Sequence, residues 1–371
     1  MRILVISHTD HYIDNNGTIV GWGPTVREID MLAERFGAVT HIACLHPGTT
    51  PLSAVAYSNP NVSFIAIPPF GGTGWKNKIS ILTSAWGNLI KIRKALRKAD
   101  VFQFRAPTSI GLYIIPYLSF FSRKKGWYKY AGNWIAKHPP LSYALQKWML
   151  LHLQSRKVTI NGAWIHQPSH CISFENPCLD DADRLSGAAT IDNKEFDGLL
   201  TLCFVGRLDK EKGLDEIIEA VNKHPQKDRI HALHIVGDGP YKNTLQQKIK
   251  DLQFPIVLHG ALARDAVFDI YRRSHFLLLP SRSEGFPKVV AEAANFGCIP
   301  IVSNVSSISQ YVNDSNGYLW NTNESSFADF FGKIDLNNIE AFNNRSAEAY
   351  KMAANFTYTV YLDKLSALIL S

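Results

Sequence analysis

The sequence predicts an α/β protein with two doubly wound, parallel-sheet (Rossmann-like) domains. Its 371 residues are more than one hydrophobic core usually holds. Short apolar runs alternate with helical patterns in two series, which is typical of strands covered by helices. The aperiodic segment between the series is rich in Asp, Asn, Pro and Gly. We therefore expect a first domain at 1–175, a linker at 176–198, a second domain at 199–355, and a C-terminal helix at 356–371 that packs back on the first domain. In such proteins ligands bind outside the carboxyl ends of the strands, so we expect both sheets to face a cleft.

The first series contains β-branched and apolar runs of strand length, separated by segments of helical periodicity. The predicted strands are Ile3–Ile6, Val39–Ala43, Val62–Ile67, Val101–Phe104, Trp127–Tyr130, Val158–Ile160 and Cys171–Phe174. The predicted helices are Thr25–Phe36, Ile79–Lys98, Ile110–Ser122 and Ser142–Gln154.

The second series follows the same rule. Its predicted strands are Leu199–Val205, Leu233–Val236, Ile256–Leu258, Phe276–Leu279, Ile299–Val302 and Tyr318–Trp320. Its predicted helices are Leu214–Asn222, Tyr241–Asp251, Asp265–Arg272 and Val289–Phe296, with a mostly helical tail from Phe327.

Composition excludes several classes of protein. The longest apolar run, Ile110–Phe121, is about half of the ~20 residues that span a membrane, and it contains Pro116. The N-terminal stretch shows no signal-peptide pattern, so we expect a cytoplasmic location. The five cysteines are scattered and form no C-x-x-C pair, so we interpret them as reduced core thiols.

Charge is distributed unevenly along the chain, whose net charge is +7. From Arg35 to Phe174 there are seventeen Lys and Arg and a single acidic residue, Asp100, with aromatic residues interleaved. A solvated basic surface is the simpler interpretation for any one lysine. The extent of the bias favours an anionic partner, with a membrane surface ranked first. Because no nucleic-acid-binding motif is present, we expect no nucleic acid partner.

Three stretches carry candidate chemistry, the first being a glycine-containing loop after the first strand. Gly17, Gly21 and Gly23 lie between a predicted strand and helix, where glycine lets the backbone approach a phosphate or sugar. The spacing does not match G-x-G-x-x-G, and a simple flexible turn explains the glycines equally well.

The second stretch, G-R-L-D-K-E-K-G at 206–213, follows a buried strand and precedes a helix. Arg207 and Lys212 place two cations beside a helix start, which suits a diphosphate that gains charge as it leaves. Alternatively, these cations pair with Asp209 and Glu211 on the same loop.

The third stretch, Leu277–Ser303, reads strand, loop, helix, strand. Pro287 can begin the helix, which opens at the carboxyl end of a parallel strand and suits an anion. Glu284 in the loop and Glu292 in the helix are eight residues apart, too far to share a proton. They are placed to accept hydrogen bonds from hydroxyls at two ends of a ligand, although each could be an ordinary solvated carboxylate.

Together, G-R-L-D-K-E-K-G (206–213), V-G-D-G-P (236–240) and S-R-S-E-G-F-P-K-V-V-A-E-A (281–293) resemble the large retaining glycosyltransferase group of the GT-B fold, family four, whose mark is E-x(7)-E. The resemblance covers the second half of the chain by these motifs and the first half only by its organisation and the Gly loop. It implies transfer of a sugar from a nucleotide diphosphate donor, with uridine favoured as the base. It also implies that no metal and no cofactor are needed.

The resemblance assigns roles to individual residues. Arg207 and Lys212 would bind the diphosphate, Glu284 the hydroxyls of the donor sugar, and Glu292 the ribose. Backbone groups at Gly285, Phe286, Lys288 and Val289 would reach the sugar and the phosphate, and the Gly17 loop would close over the diphosphate. His259 and Gly260 would face the nucleotide base. A D-x-D pair at Asp181 and Asp183 is discounted because it falls in the expected linker.

The first half departs from the family pattern in one place. Where many relatives carry a His near the sugar, this chain has W-Y-K-Y-A-G-N-W, so Asn133 would take that place, with Arg105 as another candidate. An amide can hydrogen-bond a sugar hydroxyl but cannot act as a general base.

The family places the acceptor in the first domain, and the basic, aromatic composition there favours a glycan or lipid-linked acceptor in bacterial envelope polysaccharide synthesis. Two other interpretations stay open. One is a GT-B-fold nucleotide-sugar epimerase or hydrolase, which would act on the donor alone. The other is a non-catalytic sugar-nucleotide-binding protein.

Overall fold

A computed structural model of the protein describes residues 1–69, 75–136, 138–250 and 252–370. The chain divides into two compact units, Met1–Phe174 with Tyr361–Ser371, and Glu175–Val360. The predicted α/β class with parallel sheets is confirmed.

The first unit contains strands and helices in alternation. Its strands are β1 (Ile3–Ile13), β2 (Ile19–Trp22), β3 (Val39–Leu45), β4 (Ala54–Ala56), β5 (Val62–Ile67), β6 (Val101–Ala106), β7 (Lys125–Tyr130), β8 (Val158–Ile160) and β9 (Cys171–Ser173). Its helices are α1 (Gly23–Phe36), α2 (Trp75–Lys98), α3 (Gly111–Phe121) and α4 (Leu141–His152).

The sheet of the first unit is mainly parallel, in the order β5-β3-β1-β6-β7-β8-β9. The crossover at β1 creates the switch in strand order where ligands of such sheets bind. At its carboxyl end β1 also pairs with β2, which pairs with β4, and both of these pairings are antiparallel.

Helices cover both faces of this sheet. Helices α2, α3 and α4 pack on one face, against strand residues such as Phe102, Phe104 and Tyr128. On the other face, α1 packs beside Tyr361 and Leu365 of the C-terminal helix. The C-terminal segment, expected to pack back on the first domain, therefore contributes to this core from Tyr361 onward.

The second unit holds an all-parallel sheet in the order β12-β11-β10-β13-β14-β15. Its strands are β10 (Leu200–Val205), β11 (Ile230–Val236), β12 (Ile256–Gly260), β13 (Phe276–Leu279), β14 (Ile299–Ser303) and β15 (Tyr318–Trp320). Its helices are α5 (Asp181–Ile191), α6 (Leu214–Lys223), α7 (Lys242–Ile249), α8 (Arg264–Arg273), α9 (Lys288–Asn295), α10 (Phe327–Phe331) and α11 (Ile339–Ala353). The last helix, α12 (Tyr358–Leu370), belongs to the first unit from Tyr361 onward.

Two segments differ from the sequence prediction. The expected linker contains α5, whose start carries a reciprocal capping box between Asp180 and Asp183. The glycine loop after β1 is the turn of the β1–β2 hairpin, because Gly17 (φ +79°) donates its N–H to Asp14 O at 3.0 Å. The Asp residues that suggested a linker therefore cap a helix. The glycine that suggested a phosphate loop closes a hairpin.

Five buried cysteines occupy the cores, and none forms a disulfide. Within the part of the chain that the structure describes, no helix combines the length and the apolar character needed to cross a membrane.

Candidate functional site

Three loops meet at the carboxyl edge of the second sheet. They follow β10 (206–213), β11 (237–241) and β13 (280–287). Gly213 adopts φ +76°, and a Cβ there would lie 2.5 Å from Pro280 O, so only glycine lets these two loops approach. Gly237 (φ +139°) is equally constrained, because its Cβ would lie 1.8 Å from Gly206 O. The glycines of the motifs thus hold the three loops together.

An ion pair joins two of these loops. Lys212 Nζ donates a hydrogen bond to Glu284 Oε1, and their side chains are 25% and 11% exposed. Backbone contact between the same loops, from Arg282 N to Glu211 O at 3.0 Å, fixes the geometry. The cation predicted to hold a diphosphate and the carboxylate predicted to hold sugar hydroxyls are therefore in contact. Together they offer donors for phosphate oxygens and acceptors for hydroxyls at one point.

Arg207 stands on the same loop but points into solvent. Its guanidinium Nε lies 3.0 Å from Asp209 Oδ2, and its side chain is 70% exposed. The alternative interpretation, pairing within the loop, thus describes the structure at Arg207 but not at Lys212. An exposed pair contributes about 0–1 kcal/mol, so little holds Arg207 in this position.

The start of α9 differs from prediction by one residue. Pro287 is the N-cap (φ −73°, ψ 123°) rather than the first helical residue. The Phe286 ring is buried and stacks on Phe356 with centroids 4.2 Å apart, so it can offer a ligand only its backbone. Lys288 Nζ donates to Pro177 O at 2.8 Å. Val289 is partly buried against the core. Gly285 O accepts a hydrogen bond from the Ser307 hydroxyl at 3.4 Å.

Glu292 lies further along α9, beside a cation that the sequence analysis did not identify. Burial acts to lower the pKa of Arg264, but its bond to Asp183 and the charges of Asp183 and Glu292 raise it. Arg264 NH1 donates to Asp183 Oδ1 at 3.0 Å, and its NH2 donates to Cys178 O at 2.9 Å. Glu292 is therefore electrostatically coupled to Arg264. Because α5 was missing from the prediction, nothing in the sequence pointed to this pairing.

His259 and Gly260 lie at the carboxyl end of β12, as expected from the pattern. His259 Nε2 is 2.9 Å from His234 Nδ1, so its imidazole already has a partner. Burial lowers the pKa of His259, as does the charge of Arg273. Gly260 (φ +70°) has open space around it and accepts a hydrogen bond from Gly237 N at 2.8 Å.

The first unit has a cavity of its own, of about 670 Å³. It lies at the carboxyl ends of β1, β6 and β7, beside the start of α1. Its lining is rich in hydroxyl groups: Ser7, His8, Thr9, Asp10, Trp22, Thr25, Arg105, Ala106, Pro107, Thr108, Ser109, Ala131, Gly132 and Tyr143. Arg105 therefore lines this cavity, whereas Asn133 and Gly17 are not among its lining residues. Asn133 Oδ1 accepts the N–H of Ile135 at 3.1 Å, which closes a local turn.

Arg105 belongs to a buried charge cluster. Glu28 Oε1 lies 2.8 Å from Arg105 NH2 and 2.7 Å from Lys129 Nζ, and it accepts a hydrogen bond from Tyr361 Oη at 2.8 Å. The Arg105 NH2 contact is not aligned as a hydrogen bond. Two cations against one carboxylate leave a net positive charge beside the cavity. The four residues come from α1, β6, β7 and α12, so sequence spacing could not reveal the cluster.

A second buried network begins at Ser7 in the cavity wall. His11 Nδ1 donates to Thr9 O at 3.0 Å, so its Nε2 accepts from Tyr57 Oη at 2.8 Å. The Tyr57 oxygen lies 2.6 Å from His41 Nδ1, and His41 Nε2 lies 2.7 Å from Ser7 Oγ. Burial lowers the pKa of His41 well below its ordinary value, which keeps this neutral arrangement. Ser7 Oγ donates to Thr9 Oγ1 at 2.9 Å, so two hydroxyls of the cavity wall are held by this network.

Among the described residues, no group of three or more His, Cys, Asp or Glu side chains is arranged to hold a metal ion.

Comparison with known proteins shows what the second unit is similar to. Residues 190–352 match the model of the family of glycosyl transferases group 1. One relative of the domain is the putative teichuronic acid biosynthesis glycosyltransferase TuaC of Bacillus subtilis, 37% identical over 106 residues. That alignment covers 29% of this chain and 25% of TuaC, so it spans about a quarter of the relative's length.

Solved structures resemble the whole chain. Sucrose-phosphate synthase from Thermosynechococcus elongatus matches with a TM-score of 0.73 at 15% identity, covering 99% of this chain and 98% of that one. HepE of Anabaena, in complex with UDP and glucose, matches with a TM-score of 0.71 at 15% identity, covering 100% of both chains. At these identities the likeness shows the fold alone, which is the GT-B fold with two Rossmann-like domains.

Proposed function

We propose that the protein is a retaining glycosyltransferase that moves a sugar from a UDP-sugar donor to a glycan or lipid-linked acceptor. The observation that carries the proposal is the Lys212–Glu284 pair at the carboxyl edge of the second sheet. It lies within the segment that matches the group 1 glycosyl transferases. The UDP complex of HepE, which has the same fold, supports the choice of donor base.

The proposed chemistry follows from charge. As the bond between sugar and diphosphate breaks, negative charge builds on the leaving phosphate. The Lys212 ammonium stabilises that charge, and Arg207 adds to it once it leaves Asp209. Glu284, released from Lys212 by the competing phosphate, accepts hydrogen bonds from the sugar hydroxyls. In this proposal Glu292 orients the ribose, and no metal or cofactor takes part.

For the acceptor, we propose a lipid-linked glycan at the cytoplasmic face of a bacterial membrane. Support comes from the hydroxyl-lined cavity of the first unit, from its buried net positive charge, and from TuaC, which is named for teichuronic acid biosynthesis. Phosphate or carboxylate groups on the acceptor would be attracted to Arg105 at the cavity wall.

The donor site is tested with UDP itself. We expect UDP to raise the melting temperature of the protein. Lys212→Ala should weaken UDP binding by about 10- to 100-fold, because a charge-assisted hydrogen bond contributes about 1.5–3 kcal/mol. Lys210→Ala is the matched control, since this exposed lysine lies two residues away on the same turn. Equal affinity of both variants would refute the assignment of Lys212.

The reaction type is tested by product analysis. Candidate UDP-sugars that stabilise the protein are incubated with it, with and without a membrane extract as the acceptor source. Transfer that depends on the extract supports a glycosyltransferase. Retained anomeric configuration in the product supports the retaining mechanism. Conversion of the donor alone would support the epimerase or hydrolase, and binding without turnover under both conditions would support a non-catalytic binding protein.

A further inference from the structure

One helical layer of the first unit has an unusual outer surface. Helices α2, α3 and α4 cover the same face of the sheet, and their sequences contain no Asp or Glu. Large apolar side chains on this layer are exposed, namely Trp86, Ile90, Phe120, Phe121, Leu141, Leu145 and Trp148. Basic side chains share the layer, which is therefore both cationic and apolar.

The two kinds of side chain are ordered along α2. Trp86, Ile90, Arg93 and Arg97 follow the spacing i, i+4, i+7, i+11, so they form one exposed stripe. Its first half is apolar and its second half is cationic. Lys94 and Lys98 each lie one residue further on, and therefore about 100° around the helix.

The cationic half of the stripe lines a pocket of about 450 Å³ between α2 and α3. The pocket is lined by Arg93, Leu96, Arg97, Tyr117, Phe121, Ser122, Arg123 and Lys124. The rings of Tyr117 and Phe121 are stacked, with centroids 6.2 Å apart. Phe121 is 79% exposed, so the aromatic wall of the pocket continues into solvent.

The arginines of this pocket do not serve the fold. Arg93, Arg97 and Arg123 are exposed, and in the described part of the chain they have no hydrogen-bond or ion-pair partner. The carbonyls at the helix ends are bound by other cations. Lys124 Nζ donates to Ala99 O at 2.7 Å after α2, and Arg156 NH1 donates to Leu118 O at 3.0 Å near the end of α3.

We infer that this pocket binds the phosphate headgroup of an anionic membrane lipid and docks the first unit on the bilayer. Three guanidinium groups in a pocket whose described lining holds no carboxylate complement a phosphate, which arginine can bind through two parallel hydrogen bonds. A free phosphate in solution would explain the arginines but not the exposed rings of Trp86, Phe120 and Phe121, which suit the apolar boundary of a membrane.

The inference extends the proposed function, since it specifies how an enzyme acting on a lipid-linked acceptor would reach the membrane. It rests on residues of α2 and α3 that have no part in the proposed donor site. Vesicle binding and UDP binding can therefore be measured on the same variants, and each can fail without the other.

The test compares two double variants of α2 with equal charge loss. Sedimentation is measured with vesicles of phosphatidylglycerol and phosphatidylcholine in equal parts. R93Q/R97Q should weaken binding by about 30-fold, because each basic residue near an anionic surface contributes about fivefold. K94Q/K98Q, outside the pocket, should lose clearly less. Equal losses of vesicle binding in the two variants would show that diffuse surface charge, and not the pocket, binds the vesicles.

Two further arms separate a lipid from a soluble anion. Phe121→Ser should reduce vesicle binding, whereas Leu52→Ser, an exposed apolar site outside the helical layer, should leave it unchanged. Inorganic phosphate should compete only weakly with the vesicles. If phosphate raises the melting temperature through Arg93 and Arg97 while anionic vesicles do not bind, the lipid assignment is wrong. An unchanged melting temperature and unchanged UDP binding of the variants show that each is folded.

Discussion

The two units have related parallel sheets, but they build their sites differently. In the second unit the donor-site candidates come from loops that motifs already mark, and Lys212 contacts Glu284 across only two of them. In the first unit, the cavity is lined mainly by β1, α1, β6 and the loops after β6 and β7. The charge cluster beside it comes from α1, β6, β7 and the C-terminal helix. The difference teaches that a site within short loops can be recognised in one sequence, whereas a site assembled by long-range packing cannot.

The largest expected effect is on the stability of the first unit. Glu28→Gln removes the carboxylate that compensates Arg105 and Lys129, and it should lower the free energy of unfolding by about 3–5 kcal/mol. Urea denaturation measures this change. Glu34→Gln, exposed on the same helix, is the control and should change stability by less than about 0.5 kcal/mol. A small effect at Glu28 would show that this unit does not depend on its long-range charge cluster.

The second expected effect is catalytic and lies in the second unit. Glu284→Gln keeps the shape of the side chain but removes its charge, and it should lower the transfer rate about 100- to 1,000-fold. The rate is measured with the UDP-sugar that gives the largest thermal shift. Glu211→Gln, exposed on the adjoining loop, is the control. If Glu284→Gln retained most of the activity, the claim that the motif loops of the second unit form the donor site would be wrong.

A third effect concerns pH. His275 Nδ1 accepts a hydrogen bond from Thr201 N at 2.8 Å, and its Nε2 donates to Glu195 O at 2.9 Å, so protonation would break the first bond. Burial lowers the pKa of His275 to about 4, as does the charge of Lys194.

The sign follows from this lowered pKa. Below about pH 6.5 His275 binds a proton in the unfolded chain but not in the folded protein. Its contribution to the free energy of unfolding is therefore complete above that pH and falls towards pH 4. The slope is about 1.4 kcal/mol per pH unit for this group. Unfolding free energies at several pH values measure it, and His275→Gln should flatten that slope. His41→Gln tests the corresponding buried histidine of the first unit, and parallel acid slopes in all three proteins would contradict the prediction.

The smallest effect is expected at Arg207. Arg207→Ala removes an exposed ion pair with Asp209 and should change the free energy of unfolding by less than about 1 kcal/mol. We expect UDP affinity to fall by about fivefold, less than for Lys212→Ala, and titration calorimetry measures both. A larger loss at Arg207 than at Lys212 would show that the exposed cation, and not the partly buried Lys212, binds the diphosphate.

Much of the fold could be predicted from the sequence. Buried parallel strands such as Phe276–Leu279 and Ile299–Ser303 are continuous apolar runs, which a single sequence shows directly. Helix α5 was missed because the Asp residues of its capping box looked like linker composition. The β1–β2 hairpin was missed because its turn glycine also fits a phosphate loop.

By itself the sequence determined the fold class and the motifs with their candidate donor residues, because backbone periodicity and loop glycines are local properties. Only the tertiary structure decided which charges meet. It joined Lys212 to Glu284, turned Arg207 to solvent, placed Arg264 near Glu292, and enclosed Glu28 between two cations. The physical reason is that the interaction of two charges depends on their distance and burial, which spacing along the chain does not specify.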